Sequence, residues 1–393
     1  MDWSKLWSLD PKVRFLNHGS FGACPLAVLE AQQRLRRQLE SQPLRFFMRE
    51  WENLLDNARS QLGEFIGVDT QDLVFVPNAT TGVNSVLRSL EFSPNDELLT
   101  TDHEYNACRN VLDFVANRTG ATVVVAKVPF PIESPQQVIE AIVEKATPKT
   151  RLALLDHITS QTGLILPIQQ LVKELETRGV STLIDGAHAP GMVQLNLQEI
   201  GAYYYTGNCH KWLCAPKGAA FLYVRRDKQA EIRPVTISHG ANSARTDKSR
   251  FQLEFDWMGT SDPTAYMCVP EAIKYMDSLL AGGWDELIQM NHQLALQGRN
   301  ILCKALDVLP PCPDEMIGSM AVVPMPKLLE KYAYLDLHDK LLDKFNIEVQ
   351  VVPWQGKFKL LVRISSQIYN QPEDYEFLGK ALLELSSMNY IPK

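Results

Sequence analysis

Residues 182–218, TLIDGAHAPGMVQLNLQEIGAYYYTGNCHKWLCAPKG, hold two strand-like apolar runs, each leading to a residue with chemistry to offer. Val180, Thr182, Leu183 and Ile184 run into Asp185, and residues 202–206 lead to Lys211. Taken singly both are ordinary: an aspartate at a strand end is usually a turn or cap residue, and most lysines are solvated surface charges. With His188 and His210-Lys211-Trp212 beside them, the two gain a joint use. A lysine that forms a Schiff base with an aldehyde cofactor, plus a carboxylate that keeps the cofactor's pyridinium nitrogen protonated, is what pyridoxal phosphate (PLP) chemistry requires of a protein.

Outward from this stretch, strand-like and helix-like runs alternate at 122–125, 135–146, 152–155, 167–178 and 180–184. Such alternation predicts an α/β fold with a mainly parallel sheet, whose ligands bind at the carboxyl ends of strands. Upstream, the strand-like 72–76 gives way through Pro77-Asn78-Ala79-Thr80-Thr81-Gly82 to a helical run. Small and hydroxyl residues there leave backbone N–H groups for an anion such as a phosphate, or serve as an N-cap alone. No G-x-G-x-x-G opens any βα unit, which speaks against a nucleotide-binding Rossmann domain.

At 393 residues the chain exceeds what one core organises well, so a large and a small domain are expected. The predicted division is an N-terminal segment 1–25, a large domain 26–270 and a small α+β domain 271–393. In the last of these, helices at 270–280, 284–308 and 335–345 accompany strands at 347–352 and 360–364. Lys+Arg 39 against Asp+Glu 46 gives a net charge of −7 with no basic run, which excludes nucleic acid and anionic membranes as natural partners. The opening residues lack an apolar signal core and no run is long enough for a membrane span, so the expectation is a cytoplasmic protein. Seven scattered cysteines without a C-x-x-C fit reduced thiols. Cys209, His210 and Cys214 lack the spacing of a zinc site, and no metal is expected.

The motifs and their order resemble the class V aminotransferase superfamily of fold-type I PLP enzymes, over about 17–363. D-G-A-H at Asp185–His188 is similar to its D-x-A-[QH] motif and N-C-H-K-W at 208–212 to its N-x-H-K motif. The resemblance implies a fold-type I PLP-transferase and assigns roles. Lys211 and Asp185 serve as above, with His188, Asn208 and His210 around the cofactor. Thr80, Thr81 and Gly82 cup its phosphate. His103, with Tyr105 as the alternative, stacks on its ring and supplies an acid on the face opposite the lysine. Ser160, where the family has an amide, or its neighbour Gln161 meets the phenolic oxygen. Thr260 caps the phosphate of a partner subunit, which implies a homodimer with shared sites. Arg363 binds the carboxylate of a small-molecule amino-acid substrate through its planar fork. Asn17, His18 and Ser20, in N-H-G-S-F-G, belong to a segment that reaches the site.

These features look most like the isopenicillin N epimerase branch, and they imply abstraction of the substrate's Cα proton followed by epimerisation. A carbon-sulfur lyase acting on cystine or a cysteine conjugate is the alternative, with an aminotransferase third. A persulfide-forming desulfurase is disfavoured, since no cysteine lies between Phe345 and Arg363.

Overall fold

The computed structural model describes residues 2–388. Twelve strands are assigned: β1 Arg14–Phe15, β2 Leu73–Val76, β3 Glu97–Thr101, β4 Thr122–Ala126, β5 Thr150–Asp156, β6 Ser181–Asp185, β7 Tyr204–Asn208, β8 Ala220–Val224, β9 Met320–Pro324, β10 Ile347–Glu348, β11 Gln350–Pro353 and β12 Leu360–Ser365. Seven of them form one sheet in the order β2-β8-β7-β6-β5-β3-β4. β4, β3, β5, β6 and β7 run parallel, and β8 is antiparallel to both its neighbours. This is the α/β, mainly parallel architecture that the sequence predicts.

Helices cover both faces, which is why the central strands read as nearly unbroken apolar runs. Alternate side chains serve opposite faces: Phe75 and Ile184 enter one apolar cluster, whereas Val74, Val76 and Leu183 enter another. The helix Ala79–Ser89 starts at Asn78, whose Oδ1 accepts the Thr81 N–H at 2.8 Å. Gly82 lets that first turn press against β7, since a Cβ there would lie 2.3 Å from Thr206 Oγ1.

The second sheet is antiparallel, β11-β12-β9, with the helices Gly283–Leu306 and Pro372–Ser387 packed together beside it. The single strand expected at 347–352 is two strands. β10 pairs parallel with β1, and after Val349 the chain turns to pair antiparallel with β12. The N-terminal segment is thereby tied to the C-terminal part of the chain. The boundary expected at 270 falls inside the helix Val269–Asp277, which packs on the helices Leu26–Ser41 and Trp51–Ile66.

Candidate active site

β5, β6 and β7 end in Asp156, Asp185 and Asn208, and these three line one pocket of about 320 Å³ with Lys211. A parallel sheet brings its carboxyl ends to one edge, so register alone gathers residues far apart in sequence.

Lys211 is half-buried, and its Nζ lies 3.1 Å from His188 Nε2. The indole N–H of Trp212 donates to His188 Nδ1 at 3.4 Å. Burial, followed by the charges of Lys211 and Arg363, holds His188 well below the usual histidine range, so the ring is neutral. With Nδ1 accepting from Trp212, the one ring proton of neutral His188 sits on Nε2, facing the lysine amine. The amine is itself pushed down to about 8 by burial and then by Arg363, against the attraction of Asp185. Near pH 7 roughly a tenth of it is the free, nucleophilic form, far more than an ordinary lysine offers.

Asp185 accepts the Ala187 N–H at 2.9 Å and the Cys108 thiol at 3.1 Å. Burial raises its affinity for a proton, and those donors together with Lys211 oppose the rise. Thr80, Ala79 and Asn78 bring the N-terminus of the helix Ala79–Ser89 to the pocket wall, where Asn208 Oδ1 accepts the Ala79 N–H at 2.8 Å. His210 completes that side, its Nδ1–H donating to the Ala219 carbonyl at 2.9 Å.

Arg363 lies on β12 and is only 3% exposed. One terminal nitrogen donates to the Ser160 carbonyl and the other to Ser20 Oγ at 2.8 Å, while Nε is buried without a partner. Ser20 in turn donates to Asn17 Oδ1 at 2.6 Å. Among the described residues no carboxylate pairs with this guanidinium. A buried, unpaired cation beside a pocket is a place made for an anion.

Other expected residues are placed differently. His103 is not a wall of the pocket: its ring packs edge-on against Trp354 and Phe130, with Nδ1 2.8 Å from Thr162 Oγ1 and Nε2 buried without a partner. Tyr105 lines the pocket instead, 43% exposed. His18 is also withdrawn. Its Nε2–H donates to the Lys211 carbonyl at 3.0 Å and its Nδ1 accepts from the Tyr369 hydroxyl at 2.8 Å, so it positions the lysine loop without reaching the pocket. Thr81 closes the Asn78 cap, Gly82 packs against β7, and Gln161 keeps a buried, unpartnered Oε1; Ser160 lines the wall. Thr260 is exposed and outside this pocket. Asp156, Asn78 and Phe21 line the pocket without having been singled out. Asp156 carried the same signal as Asp185, an acid closing an apolar strand.

The class-V aminotransferase model matches residues 22–376. The chain belongs to this family. It is 33% identical to an isopenicillin N epimerase of Amycolatopsis lactamdurans, over 96% of each chain. It is 32% identical to a probable chloroplastic L-cysteine desulfhydrase of Arabidopsis thaliana, over 95% of this chain and 83% of the relative. A solved cystine C-S lyase in complex with cysteine persulfide shares the fold with a TM-score of 0.80 at 22% identity, covering 97% of this chain and 99% of that one.

Membership of the class-V family makes the cofactor pyridoxal 5'-phosphate and the fold that of fold-type I PLP enzymes. The pocket fits that group on its own evidence: a buried carboxylate for a ring nitrogen, a half-buried amine of lowered proton affinity for an aldehyde, and a capped helix N-terminus for a phosphate. No helix among the described residues is long and apolar enough to cross a membrane.

Proposed function

We propose that the protein catalyses β-elimination at the carbon–sulfur bond of a cysteine-type α-amino acid. The observation that carries this reading is the amine of Lys211, pushed down to about 8, while no other described residue lining the pocket is a base near neutral pH. His103, the expected opposite-face acid, lies outside the pocket, and Tyr105 is raised above the ordinary phenol range by burial first, then by Cys108 and Asp185. An epimerase must take a proton from one face and return it from the other, whereas elimination needs a single amine.

Arg363 would hold the substrate's α-carboxylate in a charge-assisted, planar grip, with Ser20 and the Ser160 carbonyl fixing the guanidinium. Lys211 would take the Cα proton and His188, neutral and held by Trp212, would orient the amine. Asp185 would keep the ring nitrogen protonated. PLP, when bound, supplies the electron sink that makes such a Cα–H bond acidic. Phe21, 74% exposed, and Tyr105 would meet the sulfur-bearing side chain at the mouth, a contact sulfur makes favourably with aromatic rings. The seven cysteines are buried and none lines the pocket, which favours release of sulfur over its capture on the protein.

Epimerisation is the second reading, favoured by Tyr105 at the wall, whose phenol retains a proton to donate. Proton NMR in D2O of PLP-loaded protein with L-cystine and L-cysteine separates the two. Pyruvate is the expected product; the D-isomer without pyruvate would overturn elimination and favour the epimerase.

A further inference from the structure

A ring nitrogen needs one carboxylate, yet three carboxyl groups are buried together here. Asp156 and Asp185 end neighbouring parallel strands in direct register. Glu104, in the turn after β3, brings a carboxyl oxygen within 4.8 Å of both an Asp185 oxygen and Cys108 Sγ. Thr100 donates to Glu104 Oε2 at 3.0 Å, and Asp185 has its two donors. Glu104 Oε1 and Asp156 Oδ2 remain, each buried with no partner.

An ionised carboxylate in that position is costly, and adjacent carboxylates in a dry site do not ionise together. Lys211 is the cation that acts on Asp156 and Asp185, while Arg109 acts weakly on Glu104. One ammonium cannot offset three negative charges. Burial and mutual repulsion accordingly drive Glu104 and Asp156 well above the carboxylate range. The Cys108 thiol is driven up as well and donates its proton to Asp185, so the cluster lacks the thiolate a soft metal would ask for.

We propose that Glu104 and Asp156 are neutral carboxylic acids in the folded protein, a two-proton reserve that leaves Asp185 as the single ionised carboxylate for the cofactor's ring nitrogen. They are positioning residues. A second negative charge beside Asp185 would drive it toward protonation, and a protonated Asp185 no longer pairs with a pyridinium. The assignment to a ring nitrogen rests on the pocket being the PLP site; the protonation state does not.

Infrared spectroscopy tests the state directly, because an un-ionised acid has a carbonyl stretch distinct from that of a carboxylate. PLP-loaded wild type at about pH 8 is expected to show such bands, with one lost in Asp156→Asn and another in Glu104→Gln. Their absence from the wild-type spectrum would overturn the proposal without any variant. Unfolding gives a second reading. Acids that are neutral when folded and ionised when unfolded lose stability as pH rises above about 4, by up to about tenfold in the folding equilibrium per pH unit and group. Asparagine and glutamine do not titrate, so each variant should gain on wild type between about pH 5 and about pH 8. A constant difference would overturn the proposal. Bands present in a protein that fails to bind PLP would instead sink the cofactor site and leave the proton reserve standing.

Discussion

His18 donates from Nε2 to the backbone carbonyl of Lys211 at 3.0 Å, joining the N-terminal segment to the loop that carries the reactive amine. Burial pushes this histidine down to about 3, so it is neutral throughout the working range. His18→Gln should cost about 1–3 kcal/mol in urea unfolding near neutral pH, since it orphans buried partners. The sign with pH is fixed: a histidine kept neutral by the fold gives stability that is lost as pH falls from about 6.5 toward about 3. The gap between wild type and His18→Gln should narrow on acidification. A gap that widens would remove His18 from this role.

Lys211 is held at about 8, and an amine attacks an aldehyde only in its neutral form. The rate at which ligand-free protein captures PLP, followed by absorbance and borohydride trapping, should rise with pH through a midpoint of about 8 and level off roughly one unit above it. Lys211→Ala should retain PLP weakly without trapping and show no turnover. Trapping in that variant would place the covalent link elsewhere.

Arg363→Ala should raise KM for amino acids by about 10- to 150-fold, the worth of one charge-assisted hydrogen-bonded pair, with kcat changed less. Arg363→Lys should recover little, because an ammonium lacks the planar fork. Steady-state kinetics with L-cystine reads both variants, and an unchanged KM would exclude the guanidinium from substrate binding.

Thr260 is exposed and lies away from its own chain's pocket, which fits an expected contribution to a second copy. The protein should sediment as a dimer. Thr260→Val should weaken PLP binding by about 2- to 12-fold, the loss of one hydrogen bond. A monomer that binds PLP as tightly with valine as with threonine would refute the shared site.

The pocket's floor was readable because parallel strands advertise their ends: Asp185, Lys211 and the capped turn at 78–82 each follow an apolar run. Side chains supplied from elsewhere were less so. Whether His103 or Tyr105 faces the pocket depends on how the turn after β3 twists, and the spacing of two residues gives no hint that one ring packs on Trp354. Asp156 had the same local signal as Asp185 but no partner motif to draw attention to it. The break between β10 and β11 was hidden for another reason. A strand that changes sheets keeps its apolar pattern throughout.

Ser20 and Arg363 meet across a sequence separation of 343, and β1 finds β10 over a similar span. At roughly 5–20 residues per second of synthesis, the serine waits on the order of 20–70 s for the arginine to be made. Throughout that interval the mouth of the pocket lacks its cationic grip, and before it ends β5, β6 and β7 have already left the ribosome. The nascent chain can therefore own a complete set of proton-transfer groups before it owns a means of holding an amino acid, and substrate recognition is the last part of the enzyme to be born.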